Sequence, residues 1–430
     1  MARLSPFHSR TYALCRSYSW KEWAAYIAVS NYDRHSEREY FAIRNTAGLL
    51  DVSPLYKYEI TGPGAADFLA QVWTRDIRKL RPGRVVYGCM LDEEGYLLDD
   101  GTVACLQPEH YRVTSSESWF AWYERQARGF DIQIEDSTHR LAALALQGPA
   151  SRDILRGVVG SEIDDLRFFG LRETSFGDRP LCVTRTGYTG DLGYELWTPK
   201  QYALALWDAV VEAGGEYGLE PVGLDALDVT RIEAGFVLQG VDYISARACS
   251  KDSRKSTPFD AGLGWTVKLE REGFIGREAL LRVQEKGPVW DLVGLEVSWP
   301  AIERLYDEYD YPPHLAPVAC RQAVPVYDSY GLQVGQATST AWSPTTKRYL
   351  ALAQIKRDYS KLGTELRIEH TVEFERRELP ARVVETPFFD PPRKTFTPPP
   401  ADAATSEAPA QEEASEQDAA EAGKPGEETS

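Results

Sequence analysis

A chain of 430 residues, 43% hydrophobic and 26% charged, has room for two or three domains with cores of their own and the composition of a globular enzyme. Its formal charge of −17, of which residues 401–430 supply −8 through nine Asp/Glu and one Lys, counts against nucleic acid as a partner, because phosphate neutralisation supplies most of that affinity. No apolar run approaches a membrane span and the start, Met1-Ala-Arg-Leu-Ser-Pro-Phe-His8, lacks the apolar stretch of a secretory signal, so a cytoplasmic protein with no membrane partner is expected.

The segment Ser17–Tyr32 is rich in aromatic side chains, and Trp20, Trp23 and Tyr26 read first as core packing. A strand at Tyr56–Thr61, a turn at Gly62-Pro-Gly and a helix with the apolar face Phe68, Leu69, Val72, Trp73 and Ile77 follow. Short apolar strands at Val85–Met90 and Gly101–Leu106 flank the turn Asp92-Glu-Glu-Gly-Tyr96, and a helix with Trp119, Trp122 and Tyr123 comes next. Residues 141–212 repeat this rhythm: a strand at Leu141–Leu146, a helix with Ile154, Leu155 and Val158, strands near 180–185 and 193–198, and a helix with Leu206, Trp207, Val210 and Val211. Two related α+β units are predicted. Beyond about residue 285 come short strands at 292–297, 324–327, 332–335, 349–355, 365–370 and 381–384, separated by turn residues, as in a small antiparallel barrel. Residues 393–430, Pro-rich and then Ala/Glu-rich, lack the aliphatic bulk to order themselves and are expected to be disordered.

The six cysteines lie far apart without a C-x-x-C pair, and the six histidines show no ligand spacing, so free thiols and no metal are expected. Two stretches carry candidate chemistry. Arg185-Thr-Gly-Tyr-Thr-Gly-Asp-Leu-Gly-Tyr-Glu-Leu-Trp-Thr-Pro199 places three glycines, the flat face of Tyr188 and the carboxylate of Glu195 between two strands. Such a set suits a planar heterocycle with adjacent N–H donors, although a plain hairpin accounts for the local pattern as well. The second is Gly95-Tyr-Leu-Leu-Asp-Asp100-Gly. Neighbours in a strand point to opposite faces, so only one of Asp99 and Asp100 can act in a site, and an Asp-rich turn is the ordinary alternative.

These stretches belong to an ordered series: Arg44-Asn-Thr-Ala-Gly-Leu-Leu-Asp-Val-Ser53, Gly62-Pro, Tyr87-Gly-Cys-Met90, Leu146-Gln-Gly-Pro149, Gly223-Leu-Asp-Ala226, Arg231-Ile-Glu-Ala-Gly235, Pro258-Phe-Asp-Ala-Gly-Leu-Gly-Trp265, Phe274-Ile-Gly-Arg-Glu-Ala-Leu280 and Trp342-Ser-Pro344. Colinear over about residues 40–390, the series resembles the glycine cleavage T-protein family, the tetrahydrofolate-dependent aminomethyltransferases with their demethylase relatives. The resemblance implies an α+β cloverleaf of three domains, two ferredoxin-like α+β units plus a C-terminal antiparallel β-barrel. Residues 1–283 would form the folate-binding catalytic region of two interleaved units, and residues 284–392 the barrel. Carried over position by position, it implies Asp100 as the catalytic carboxylate and Tyr87, Val103, Tyr188, Glu195 and Trp265 as tetrahydrofolate contacts. The implied reaction transfers an aminomethyl-derived or methyl carbon to tetrahydrofolate, with a lipoyl carrier protein or a small molecule as donor.

Three departures bear on the donor. The family's Asp-Val-Ser-His-Met is here Asp51-Val-Ser-Pro54-Leu55, a usual arginine is Leu227, and the usual N-terminal segment is replaced by the aromatic one around Tyr26. The last resembles, in spacing, tetrahydrofolate-dependent O-demethylases of methoxylated aromatic acids, where Tyr243 or Tyr26 would supply a proton. An O-, S- or N-demethylase giving 5-methyltetrahydrofolate is therefore the enzyme alternative. A folate-binding iron–sulfur assembly factor ranks behind both, because Cys249 lies in Ala-Arg-Ala-Cys-Ser-Lys251 without that group's glycines.

Overall fold

The computed structural model describes residues 2–398. A five-stranded sheet has the order Arg84–Leu91, Leu97–Gln107, His110–Ser115, Tyr56–Thr61 and Gln133–Asp136. A six-stranded sheet runs Leu171–Phe176, Arg179–Thr184, Gly193–Pro199, Leu141–Gln147, Ala47–Asp51 and Leu219–Pro221. It therefore takes one strand from ahead of the five-stranded sheet, and the two units interleave. The six strands Trp290–Val297, Arg348–Lys356, Gln333–Ser343, Val324–Tyr327, Glu365–Val372 and Glu375–Val384 close an antiparallel barrel, and each overlaps one of the six short strands read from the turn spacing.

Leu141–Gln147 shows how the sequence positions the site. Its run Leu-Ala-Ala-Leu-Ala-Leu-Gln is apolar at every position but the last, the pattern of a strand covered on both faces. Ala142, Leu144 and Leu146 join Tyr194 and Leu196 against the helices Ser151–Val159 and Ala203–Gly214. Ala143 and Ala145 face the other way, toward Leu50, Val52 and Trp197. Each large side chain in the first layer contributes roughly 1.5–3 kcal/mol by burial, while the alanines of the second keep the opposite face shallow.

Where the two sheets meet, Lys57 is buried, its Nζ donating to the carbonyls of Ser53 (2.7 Å) and Leu55 (2.5 Å). Burial pushes its amine down to about 7. The unfolded chain then binds the proton more strongly than the native one, so Lys57 makes stability rise with pH from about 7 to the ordinary lysine value near 10.4. In denaturant unfolding across that window, Lys57→Met is expected to lose part of this rise; an unchanged pH slope would show that Lys57 does not titrate there.

The helix Leu224–Glu233 is buried at every position except Leu227, although it carries four charged side chains. Each is paired: Asp225 with Lys21, Asp228 with Arg231 and Arg321, Arg231 also with Asp242 (2.6 Å), and Glu233 with Arg44 (2.6 Å). Removing one member would leave a buried charge uncompensated, which is why such networks hold their surroundings in one arrangement. Arg44 in turn donates to the carbonyl of Thr189 (2.9 Å), fixing the loop that carries Tyr188.

Two regions differ from expectation. The aromatic N-terminal segment is a β-ribbon, Ser19–Trp23 against Tyr26–Asn31. The disorder expected from residue 393 lies outside the described residues from 399 onward, but residues 393–397 are bonded into the fold. Arg393 forms a two-pronged pair with Asp191 (2.7 and 2.8 Å), and the Arg185 guanidinium donates to the Phe396 carbonyl and the Thr397 hydroxyl (2.6 Å each). Hydrogen bonding to buried charged groups replaces the aliphatic burial that the composition lacks. Among the described residues no helix is long and apolar enough to cross a membrane.

Candidate active site

The strand Leu97–Gln107 separates its two carboxylates by its pleat. Asp99 is fully buried and accepts from the Ser116 hydroxyl (2.6 Å), the backbone N–H groups of Ser116 and Glu117 (3.2 and 3.1 Å) and Trp119 Nε1 (2.7 Å). It ties down the turn before the next helix. Asp100 faces the other way, where Tyr87 donates to Oδ2 (2.6 Å) and Tyr243 donates to Oδ1. Burial raises the Asp100 carboxyl above the ordinary range, and the two phenols oppose that shift.

Tyr87 lies nearly parallel to Trp265, with ring centroids 5.8 Å apart at 16°, and Trp265 as a residue is 59% exposed. In the loop between the strands Arg179–Thr184 and Gly193–Pro199, Tyr188 stacks on Phe236 (5.7 Å, 28°) and donates to the Val237 carbonyl. Glu195 takes the Thr186 and Thr184 hydroxyls on Oε2 (2.6 and 3.3 Å), which leaves Oε1 open. Burial raises its carboxyl too. The chain from Phe236 to Tyr243 joins the two halves, meeting Tyr188 at one end and Asp100 at the other. A carboxylate held by two phenols, a second carboxylate with one oxygen open, and two stacked aromatic pairs are the groups that a flat heterocycle with N–H donors requires.

Val103 is placed elsewhere. It is fully buried in the core of the five-stranded sheet with Phe68 and Met90, because it shares the parity of Asp99; Thr102, opposite Tyr87 in the register, lies on the Asp100 side. The glycines of the tyrosine loop also serve a purpose that the loop by itself does not reveal. A Cβ at Gly187 or Gly193 would lie 2.0 or 2.2 Å from Gln147 Oε1. The Gln147 side chain is inserted under the loop, donating to the Thr186 carbonyl (3.3 Å) and accepting from the Thr189 hydroxyl (2.9 Å). The glycines thus make room for Gln147, which is why Leu146-Gln-Gly-Pro149 and the tyrosine loop form one unit.

Sequence reasoning placed Tyr243 only as a proton source for one reaction. Its contact with Asp100 comes from an irregular segment whose course no periodicity encodes. The divergent residues gather as well: Trp23, Leu55 and Leu227 pack on Leu50, Val52 and Trp197. The Tyr26 hydroxyl is engaged by Nδ1 of His139 (2.6 Å) instead. Among the described residues no three His, Cys, Asp or Glu side chains cluster to hold a metal.

If Asp100 acts as an anion, activity falls as pH drops through its raised pKa, and each phenol extends the active range downward. Tyr243→Phe should therefore shift the acid limb of the pH–rate profile to higher pH by about one unit, since a hydrogen bond to a charged group is worth about 1.5–3 kcal/mol. An unmoved limb with lower plateau activity would mean that Tyr243 acts otherwise.

Comparison with known proteins matches residues 8–271 to the GCVT N-terminal domain and residues 312–390 to the glycine cleavage T-protein C-terminal barrel domain. The chain belongs to the glycine cleavage T-protein family. An aminomethyltransferase of Halothermothrix orenii is 32% identical over 355 residues, covering 82% of this chain and 90% of that protein. One of Symbiobacterium thermophilum is 35% identical over 367 residues, covering 83% and 90%. A trimethylamine-oxide aldolase of Ruegeria pomeroyi is 35% identical over 366 residues, which are 82% of this chain but 43% of that longer protein. The crystal structure of glycine cleavage system aminomethyltransferase T from Bartonella henselae superposes with a TM-score of 0.76 at 26% identity, covering 91% of this chain and 99% of that one. The T-protein fold, α+β with a six-stranded antiparallel barrel, is thus this chain's fold, and the chain is an enzyme of the aminomethyltransferase family.

Proposed function

We propose that this T-protein relative transfers a one-carbon unit to tetrahydrofolate, with Asp100 as the catalytic carboxylate and Tyr87, Tyr188, Glu195 and Trp265 as the residues that hold the acceptor. The observation that supports this most is the Asp100 carboxylate, desolvated yet held by two phenols. Tetrahydrofolate supplies a nitrogen nucleophile. The chain's part is to fix that nitrogen in line with the incoming carbon, where much of the rate enhancement arises, and to receive its proton at Asp100. Glu195 Oε1 accepts from the heterocycle's N–H donors, while the ring of Tyr188 covers its flat face.

For the donor, an aminomethyl group on a lipoyl carrier is the first reading, since the aminomethyltransferases span 90% of their own length in the match. Demethylation of a small molecule is the second. It is favoured by the apolar surface of Trp23, Leu55 and Leu227, which puts an uncharged wall where an arginine was expected. Protein and tetrahydrofolate incubated with aminomethyl-loaded lipoyl carrier, or with methylated small molecules, separate the two. Methylene-tetrahydrofolate supports the first and methyl-tetrahydrofolate the second; no folate product from any donor would overturn the transferase proposal.

A further inference from the structure

The loop that carries Tyr188 is held from behind by a part of the chain some two hundred positions away. Past the last barrel strand, Glu375–Val384, the chain leaves the barrel. Phe388 packs on Gly294, where a Cβ would come within 2.7 Å of its ring, and the Phe389 N–H donates to the Glu233 carbonyl (2.9 Å) at the end of the buried helix. The Arg44 guanidinium lies over the Phe389 ring, 4.3 Å from its centroid. From there residues 389–397 form a strap that reaches the tyrosine loop and meets it at three points.

The first is Gly190, whose positive φ (71°) already favours glycine; a Cβ there would lie 2.5 Å from that of Ala234 and 3.8 Å from the Phe389 carbonyl oxygen. The second is Asp191, whose side chain is fully buried. Arg393 Nε donates to its Oδ1 (2.7 Å) and Nη2 to its Oδ2 (2.8 Å), and Nη2 also reaches the Arg44 carbonyl (3.1 Å). The other cation near Asp191, Arg44, stands at 3.4 Å and gives its closer bonds to Glu233, so Arg393 is the main partner. The third is Arg185, buried and without a carboxylate partner among the described residues. Its guanidinium donates to the Leu166 carbonyl (3.0 Å) and to the strap, at the carbonyls of Lys394 (3.2 Å) and Phe396 (2.6 Å) and the Thr397 hydroxyl (2.6 Å). Two buried charges of opposite sign thus flank Tyr188, and the strap satisfies both. Two-pronged pairing with a buried carboxylate fixes orientation as well as distance.

We propose that Arg393 is a positioning residue for the acceptor site: through Asp191 it holds the tyrosine loop in the arrangement that sets Tyr188 against Phe236. This rests on the tetrahydrofolate reading above. Arg393 acts on the back of the loop while the ligand is met by its front, so its effect is on how often the loop is ordered. A loop ordered for only a fraction of the time lowers apparent affinity by that fraction.

Two measurements on the full chain test this: amide hydrogen exchange without ligand, and calorimetric titration with tetrahydrofolate. Arg393→Gln should speed exchange across residues 186–192 and weaken tetrahydrofolate binding about tenfold, and excess tetrahydrofolate should restore the protection. Arg393→Lys, which keeps the charge but only one prong, should recover part of the affinity. Should Arg393→Gln not fold, Asp191→Asn combined with it leaves no unpaired buried carboxylate and is expected to show the same loss. Native-like affinity in the variant that folds overturns the positioning role and leaves the folate reading standing. An affinity loss without faster loop exchange overturns it too, because Arg393 would then act by another route. No tetrahydrofolate binding by the native chain overturns the folate reading and this one with it.

Discussion

Asp100→Asn is expected to fold normally and lose turnover by about a thousandfold, within the range for a positioned acid–base group. The native carboxylate is held away from water and pushed toward its protonated form, so a neutral amide of the same shape relieves desolvation while keeping an acceptor for one phenol. Thermal unfolding at neutral pH should therefore show a melting temperature equal to or above that of the native chain, beside nearly abolished activity in the tetrahydrofolate assay. That combination separates a functional carboxylate from a structural one. Asp99→Asn gives the contrast: five donors, including Trp119 Nε1 and the Asp100 N–H, converge on Asp99, so its loss should appear first as lower stability. If Asp100→Asn retains near-native turnover, the catalytic assignment fails.

The second large effect is expected at Glu195. Its Oε2 is engaged by Thr184 and Thr186, and those two hydroxyls also bond each other at 2.7 Å, so Glu195→Ala leaves them partly satisfied and the sheet intact. What is lost is the open oxygen. Removing a charged acceptor that pairs with ligand N–H groups costs about 3 kcal/mol, close to a hundredfold in affinity. Calorimetry with tetrahydrofolate should show that loss, with Glu195→Gln intermediate because its amide keeps one acceptor. Affinity unchanged in the alanine variant would remove Glu195 from the binding site.

Much of the fold was legible in the chain because its strands and helices carry their burial pattern locally. The barrel is the clearest case: turn residues at regular intervals mark strands that the structure closes into one ring. The helix Trp299–Asp307 inside that region was not foreseen, although Ala301, Ile302 and Leu305 supply its buried face and Pro300 suits its first turn. Its signal is two turns long, too short to stand out among strands. The N-terminal ribbon was hidden for a related reason: Trp20, Trp23 and Tyr26 read as generic apolar bulk until a partner surface exists for them.

The site divides along the same line. Parity within a single strand determined that only one of Asp99 and Asp100 could face the cavity, and the motif order pointed to the second. Parity also places Val103 with Asp99, against the position that the family correspondence implies for it. Residue types and spacing by themselves determined an α+β chain with a barrel, a tyrosine and a glutamate on one ligand loop, and a single usable carboxylate on another strand. Only the tertiary structure decided that Gln147 fills the space under the loop glycines, that Tyr243 reaches Asp100, and that Leu227 gathers with Trp23 and Leu55 from distant parts of the sequence. These are long-range contacts made by irregular segments and by one helix buried on nearly all sides. Their partners are fixed by where the chain is carried by the rest of the fold, and no local period records that.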